Sequence, residues 1–592
     1  MCGIAGFFAS SGEVSEQNLH RLATALAHRG PDGSHVFPHG SVGMVHTRLA
    51  IIDVAGGQQP FEWPDGLVLV ANGEVYNDPV IRRTSPDMPF HTGSDCESLL
   101  ALYRRYGESF VSHVRGMVAF ALYDSVNDLL FLGRDAFGIK PLYIVEGEGG
   151  VAFASEIPPL IAAGYISPYV NPRKAFELFN LQFTTGEQTI IQGVHRVLPG
   201  ETLVIKAGRL IRHIRCSSPL TPPASEGHPS ENSIITSEEE ALRTFETAFM
   251  DSVHVHQRAD VPYGLFLSGG LDSTALLVAM ARQRECPVLA FTAGFPGTQV
   301  HDERSHARSL AREVGAEHVE VTVSEDDFWT YLPRIVGCMD DPAADYAIIP
   351  TWFLARAASS SVKVILSGEG GDEIFAGYGR YRAALRPWPF ARPMRQRGLC
   401  EGLGLLQRRD TSWRDDYETH EAVLQKSIPD KLLRCQQMDG LDWLPHNLLA
   451  KLDRCLMAHG VEGRVPFLDP AVARLGARLH PSLKIRRGLG KYVLRCWLQK
   501  NMPNSGPFSP KRGFTVPVGE WMARQGHRLA PSIASSESIK GLVNPSAVSS
   551  LFQASGKRER FAAWVLLFYD LWHRHHIQGQ PVEGDVFHVL SS

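Results

Sequence analysis

Over the first 215 residues, short apolar runs rich in β-branched and aromatic side chains recur at 67–70, 118–123, 129–132 and 202–205, separated by Gly, Asp and Asn. Runs of this length bounded by turn formers predict strands. Leu99, Leu102, Tyr103 and Tyr106 repeat at helical spacing among them, so the segment predicts an α+β domain with helices packed on sheets. The pattern stops at 216–233, CSSPLTPPASEGHPSENS, where Pro, Ser and Glu crowd together. A linker over 216–236 is expected, dividing a first domain, 2–215, from a second, 237–592.

Beyond the linker the pattern changes to strand, turn and helix in repetition. Apolar runs at 263–267, 288–293 and 318–323 alternate with helical spacing at 272–284 and 303–314. Such βαβ units require a parallel sheet and predict a doubly wound α/β domain. SVKVIL at 361–366 reads as a further buried strand, and the chain past Tyr378 predicts a helical C-terminal portion packed on that sheet.

Composition narrows the function. With 44% hydrophobic residues, 21% charged and a net charge of −4, the chain folds without a field that draws nucleic acid. Its longest apolar stretches, such as 116–123, are too short to cross a bilayer, so no membrane partner is expected. The start MCGIAGFF lacks a basic segment ahead of its apolar run, so no export is read. The nine cysteines lie singly with no C-x-x-C pair, which fits a reducing cytoplasm.

The first candidate chemistry is at Cys2. Once Met1 is removed, the thiol stands beside an α-amine whose reference pKa is about 8, so one residue supplies nucleophile and base. A cysteine at position 2 is otherwise an accident of sequence, but its context is not. Cys2-Gly-Ile-Ala-Gly-Phe, His28-Arg-Gly-Pro-Asp-Gly, Arg48-Leu-Ala-Ile-Ile-Asp, Asn72-Gly-Glu-Val-Tyr-Asn, Gly93-Ser-Asp95 and Arg134-Asp-Ala-Phe-Gly-Ile-Lys-Pro-Leu-Tyr follow in order. Together, over residues 2 to 200, they resemble the class II glutamine amidotransferase domain. The resemblance implies an N-terminal-nucleophile (Ntn) hydrolase fold of layered antiparallel sheets and helices. It implies that Arg48 clamps the glutamine α-carboxylate, that Glu74 and Asp95 hold its α-ammonium, and that Asn72 and Gly73 form the oxyanion hole. The chemistry agrees, since a zwitterion calls for a bidentate cation and carboxylates, and an Asn-Gly pair offers two donors to an oxyanion. Taken alone, Arg48 reads as a helix-end salt bridge and Asn72-Gly73 as a turn.

The second is Ser268-Gly-Gly-Leu-Asp-Ser273, between a strand and a helix. Its glycines and the helix N-terminus suit a pyrophosphate, and no G-K-[ST] follows that would make it a Walker loop. The string is similar to the PP-loop of ATP pyrophosphatases. A second loop, Ser367-Gly-Glu-Gly-Gly-Asp-Glu373, leaves another strand of the same sheet, where open α/β sheets bind ligands. The likeness implies nucleotide contacts from Leu267, Ser268, Gly269, Gly270, Asp272, Ser273, Ala293, Ser367 and Gly368, with Asp272 and Asp372 holding Mg²⁺. Each aspartate could equally cap a helix.

Further strings extend the likeness: Phe375-Ala-Gly-Tyr-Gly-Arg-Tyr381, Lys451-Leu-Asp-Arg454, Arg464-Val-Pro-Phe-Leu-Asp469, Gly490-Lys491-Tyr-Val-Leu-Arg495 and Pro510-Lys-Arg-Gly-Phe-Thr-Val-Pro517. From 237 to 575 the chain resembles the synthetase domain of glutamine-hydrolysing asparagine synthetases. By that resemblance Lys491 stabilises the adenylation and amidation transition states and Glu369 lies beside an acyl-adenylate. On residues alone Lys491 reads as a surface lysine. The family implies ATP as co-substrate, Mg²⁺, glutamine and a carboxylate as small-molecule substrates, an internal ammonia channel and a homodimer. Aspartate is the expected acceptor; the rival is a tailoring amidotransferase acting on another carboxylate. A cyclase would carry Tyr at 369 and tend to lose Cys2, and an inactive scaffold would lose Cys2, Asp272 or Lys491; all are present. Val461-Glu-Gly463 departs from the family's usual Leu-Glu-Val and leaves the acceptor open.

Overall fold

The computed structural model describes residues 2–221, 234–284, 286–387, 389–408, 411–509 and 515–591. Most of the expected linker, 222–233, and residues 510–514 of the Pro510 string lie outside them.

The N-terminal half holds two six-stranded antiparallel sheets. In the first, Gly3–Ala9 pairs with Val42–Arg48 on one side and Gly150–Ala154 on the other, placing the chain start at the sheet centre. In the second, Leu67–Val75 pairs with Gly116–Asp124, which pairs in turn with Leu129–Arg134. The sheets meet face to face through Ile4, Phe8, Val42 and Met44 against Val70, Ala121 and Leu132, all buried. Strands buried on both faces need apolar residues at nearly every position, and Leu67–Val75 has only Asn72, Gly73 and Glu74 as exceptions. A helix covers each outer face. Glu16–Leu26 turns Leu19, Leu22 and Leu26 inward, and Ser98–Tyr106 turns in Leu99, Leu100 and Leu102. The four predicted strands and the predicted helix are present.

The second half centres on a five-stranded parallel sheet in the order Glu317–Thr322, Leu289–Gly294, Tyr263–Phe266, Val364–Leu366, Glu462–Arg464. Leu271–Gln283 and Arg304–Glu313 are the expected crossover helices. The strand expected at 361–366 is shorter, Val364–Leu366, because the chain from Ser359 to Val362 still closes the end of helix Ile348–Ala358 with turn hydrogen bonds. The fifth strand, Glu462–Arg464, was not expected: three residues reading Glu-Gly-Arg carry no apolar alternation. Its partner register, Val364 with Glu462 through Leu366 with Arg464, lines up the ends of the two strands. Helices account for most of the remaining chain, the largest being Lys557–His576, whose Trp564, Leu567, Phe568 and Trp572 are fully or almost fully buried.

A seam of buried charge joins the halves. Arg29 lies 2.5 Å from Glu156 and 2.8 Å from Asp453. Arg454 lies 2.5 Å from Asp340 and 2.8 Å from Asp453, and Arg196 lies 2.6 Å from Asp341. Buried charges persist only when paired in this way. Among the described residues no helix is long and apolar enough to cross a membrane.

Candidate active sites

Cys2 stands immediately before the central strand of the first sheet, opposite the polar interruption in Leu67–Val75. Its main-chain nitrogen donates to Asn72 Oδ1 at 3.1 Å. That bond fixes the Asn72 amide, and Nδ2 is left buried with no hydrogen-bond partner among the described residues. A buried donor without an acceptor is costly unless a ligand supplies one. Gly73 has φ 152°, and a Cβ there would overlap the Met117 carbonyl, so only glycine fits. Burial pushes the Cys2 thiol up, with nearby Arg48 pulling it down.

Arg48 ends Val42–Arg48, and its guanidinium donates to the carbonyls of Val54 at 3.1 Å and Asp53 at 2.6 Å. It makes no helix-end salt bridge; main-chain oxygens hold it in place. Asp95 accepts from the Val75 amide, one residue beyond Glu74. Burial pushes the Asp95 carboxyl up to about 6. Glu74 is paired across the domain seam, with Arg464 Nη2 2.9 Å from its Oε1. Cys2 and Asn72 are thus joined directly, and Gly73 and Glu74 follow Asn72 on the same strand.

The second site is a cavity of about 980 Å³ at the C-terminal ends of the parallel strands. Leu267, Ser268, Gly269, Gly270, Asp272 and Ser273 line it from the first loop, Ala293 from the neighbouring strand, and Ser367, Gly368, Glu369 and Asp372 from the second loop. Ser273 Oγ lies 3.1 Å from Ser268 Oγ and donates to the Gly270 carbonyl at 3.2 Å, which closes the first loop on itself. Gly269 takes φ 70°, and a Cβ on Gly368 would press on Asp272. The second loop lays its backbone on the Asp272 side chain because Gly368 and Gly371 carry no Cβ.

Neither aspartate caps its helix: Gly270 and Gly370 hold the N-cap positions. Both carboxylates turn to Lys491, whose Nζ bonds to Asp272 and lies 2.8 Å from Asp372 Oδ1. The surface reading of Lys491 is corrected here, since the residue is 2% exposed and lines the cavity. Burial works against its charge, but the two aspartates outweigh it and raise its pKa. Its main chain adopts φ 61°, and its N–H donates to the Phe375 carbonyl at 3.0 Å.

A second buried lysine went unassigned at the level of sequence. Lys451 lines the same cavity with Nζ 3.4 Å from Glu369 Oε1 and 3.7 Å from Asp345 Oδ2. Its signal was the Lys451-Leu-Asp-Arg454 string, whose Asp453 and Arg454 belong to the domain seam. Each site thus has acids and cations placed by a different architecture: antiparallel strands for the first, loops of a parallel sheet for the second.

Known proteins match this arrangement. The glutamine amidotransferase domain matches residues 1–214 and the asparagine synthase domain residues 244–574. A Mycobacterium tuberculosis protein, provisionally named a glutamine-hydrolysing asparagine synthetase, is 35% identical over 97% of both chains. The glutamine-hydrolysing asparagine synthetase 1 of Bacillus subtilis is 30% identical over 99% of both. The amidase chyE of Penicillium rubens is 27% identical over 92% of this chain and 93% of its own. The chain belongs to the asparagine synthase family, ligases that couple a glutamine amidotransferase domain to an ATP-using synthetase domain.

Proposed function

We propose that the protein amidates a carboxylate, with aspartate as acceptor, in two half-reactions carried by domains 2–215 and 237–592 in a reducing cytoplasm. In the first, the α-amine of Cys2 takes the thiol proton, and the thiolate attacks the glutamine side-chain carbonyl. Asn72 Nδ2 and the Gly73 N–H receive the oxyanion, Arg48 takes the α-carboxylate, and Glu74 and Asp95 the α-ammonium. Ammonia leaves, and water splits the thioester to glutamate.

In the second, the aspartate β-carboxylate attacks the α-phosphorus of ATP bound at the Ser268 loop, giving an acyl-adenylate and pyrophosphate. Ammonia displaces AMP and leaves asparagine. Lys491 meets the charge that develops on the α-phosphate, and Lys451 holds Glu369 beside the acyl carbon. Asp272 and Asp372 fit Mg²⁺, because two hard carboxylates facing a phosphate site are the protein share of its usual ligand set. Bound there, Mg²⁺ would neutralise the departing pyrophosphate.

The observation that carries this reading is Lys491, a buried cation between carboxylates of both glycine-rich loops. The test is the product formed from glutamine, ATP and a panel of acids, read by mass spectrometry with AMP. Asparagine with stoichiometric AMP is expected. An amide of another acid in preference to asparagine would support the tailoring reading, which the likeness to a chain named an amidase favours; ADP in place of AMP would overturn the adenylation step.

A further inference from the structure

Arg464 belongs to the ATP-binding half, yet its side chain reaches the glutamine pocket. It ends the three-residue strand Glu462–Arg464, and its carbonyl accepts from the Ser367 amide at 2.8 Å. Its guanidinium is fully buried. Nη2 lies 2.9 Å from Glu74 Oε1 and Nε 2.6 Å from Glu462 Oε1. Nη1 donates to the main-chain oxygens of His256 at 3.0 Å and Arg258 at 2.6 Å. A planar fork held on several sides by oxygen can point only one way, and lysine cannot reproduce it.

We infer that Arg464 is a positioning residue for glutamine: it orients Glu74 to receive the α-ammonium. Burial pushes the Glu74 carboxyl well above its ordinary range, Asp95 and Glu462 push it further, and Arg464 is the side-chain cation that opposes them in part. Burial works against the Arg464 charge as well, but Glu74 and Glu462 outweigh it. Remove the guanidinium and Glu74 loses the cation that fixes its carboxyl, leaving a buried acid free to turn away from the ammonium. The glutamine pocket is thus completed by a residue of the other domain. This inference rests on the proposed contact between Glu74 and glutamine.

The test is a double-substitution cycle read as glutamine KM and kcat separately. Arg464→Met leaves the main-chain bond to Ser367, so AMP formation driven by ammonia reports whether the ATP half is intact. Arg464→Met is expected to raise the glutamine KM tenfold or more with a smaller change in kcat, and Glu74→Gln to do the same. The double variant should be no worse than either single one, because both remove one interaction. If Arg464→Met does not fold, Arg464→Lys replaces it and should still raise KM severalfold. A raised KM in Glu74→Gln with a KM within twofold of wild type in the Arg464 variant would overturn the inference alone, as would additive losses in the double variant. An unchanged KM in Glu74→Gln would remove the proposed role of Glu74 and the inference with it.

Discussion

The main-chain nitrogen of Cys2 and the side chain of Asn72 are locked together at 3.1 Å, and the lock decides which end of the amide faces the nucleophile. Oδ1 is spent on the Cys2 nitrogen, so the buried Nδ2 is the end left to donate. Asn72→Ala is expected to lower kcat for glutamate release about 100- to 1000-fold, as loss of one oxyanion donor does elsewhere. Asn72→Asp should be as damaging, because a carboxylate has no donor. AMP formation with ammonia in place of glutamine should be unaffected by either.

Asp95 gives the glutamine half a pH dependence. Burial raises its pKa to about 6. The role proposed for it requires the ionised form, so its contribution to glutamine affinity should be complete well above that value and be lost as pH falls through it. KM for glutamine should climb by about tenfold per unit well below pH 6. Asp95→Asn should raise KM at neutral pH and flatten the profile; a wild-type KM that stays constant from pH 8 to pH 5 would contradict the assignment.

Lys491 separates charge from shape. Lys491→Ala should cut AMP formation by about 100-fold or more while glutamate release from glutamine alone continues. Lys491→Arg should be nearly as harmful, because a wide planar guanidinium does not fit where a compact ammonium meets two carboxylates. Wild-type AMP production by the Ala variant would exclude a role at the phosphate.

Stability should be carried by the seam and not by surface pairs. Arg454→Met leaves Asp340 without a buried cation and Asp453 with Arg29 alone, and a loss of about 3–5 kcal/mol is expected from urea unfolding. Lys540→Ala removes a partner of Glu537 that is 75% exposed, and should cost no more than about 1 kcal/mol.

The two sites and the sheet frameworks were readable in the sequence because their signals are local. Strands such as Leu67–Val75 show as apolar runs, and Ser268 to Ser273 is a contiguous loop whose glycines are demanded by the backbone. What escaped was set by partners far along the chain. Lys451 sits on a helix that looks ordinary until Glu369 and Asp345 are placed beside it. Glu462–Arg464 is a strand only because Val364–Leu366 lies alongside. Lys491 reads as surface in any window, since its burial is compensated by carboxylates more than one hundred residues away.

The pairing of Arg29 with Asp453 joins residues 424 positions apart, so it forms only after most of the chain has been made. An emerging N-terminal half already holds Cys2 and Asn72, but its Arg29 lacks Asp453 and its Glu74 lacks Arg464. Translation must pass residue 453 before the Arg29 pairing forms and residue 464 before the Glu74 pairing does. On the proposed reading, a nascent or truncated chain therefore carries Cys2 without the arginine that completes the surroundings of Glu74.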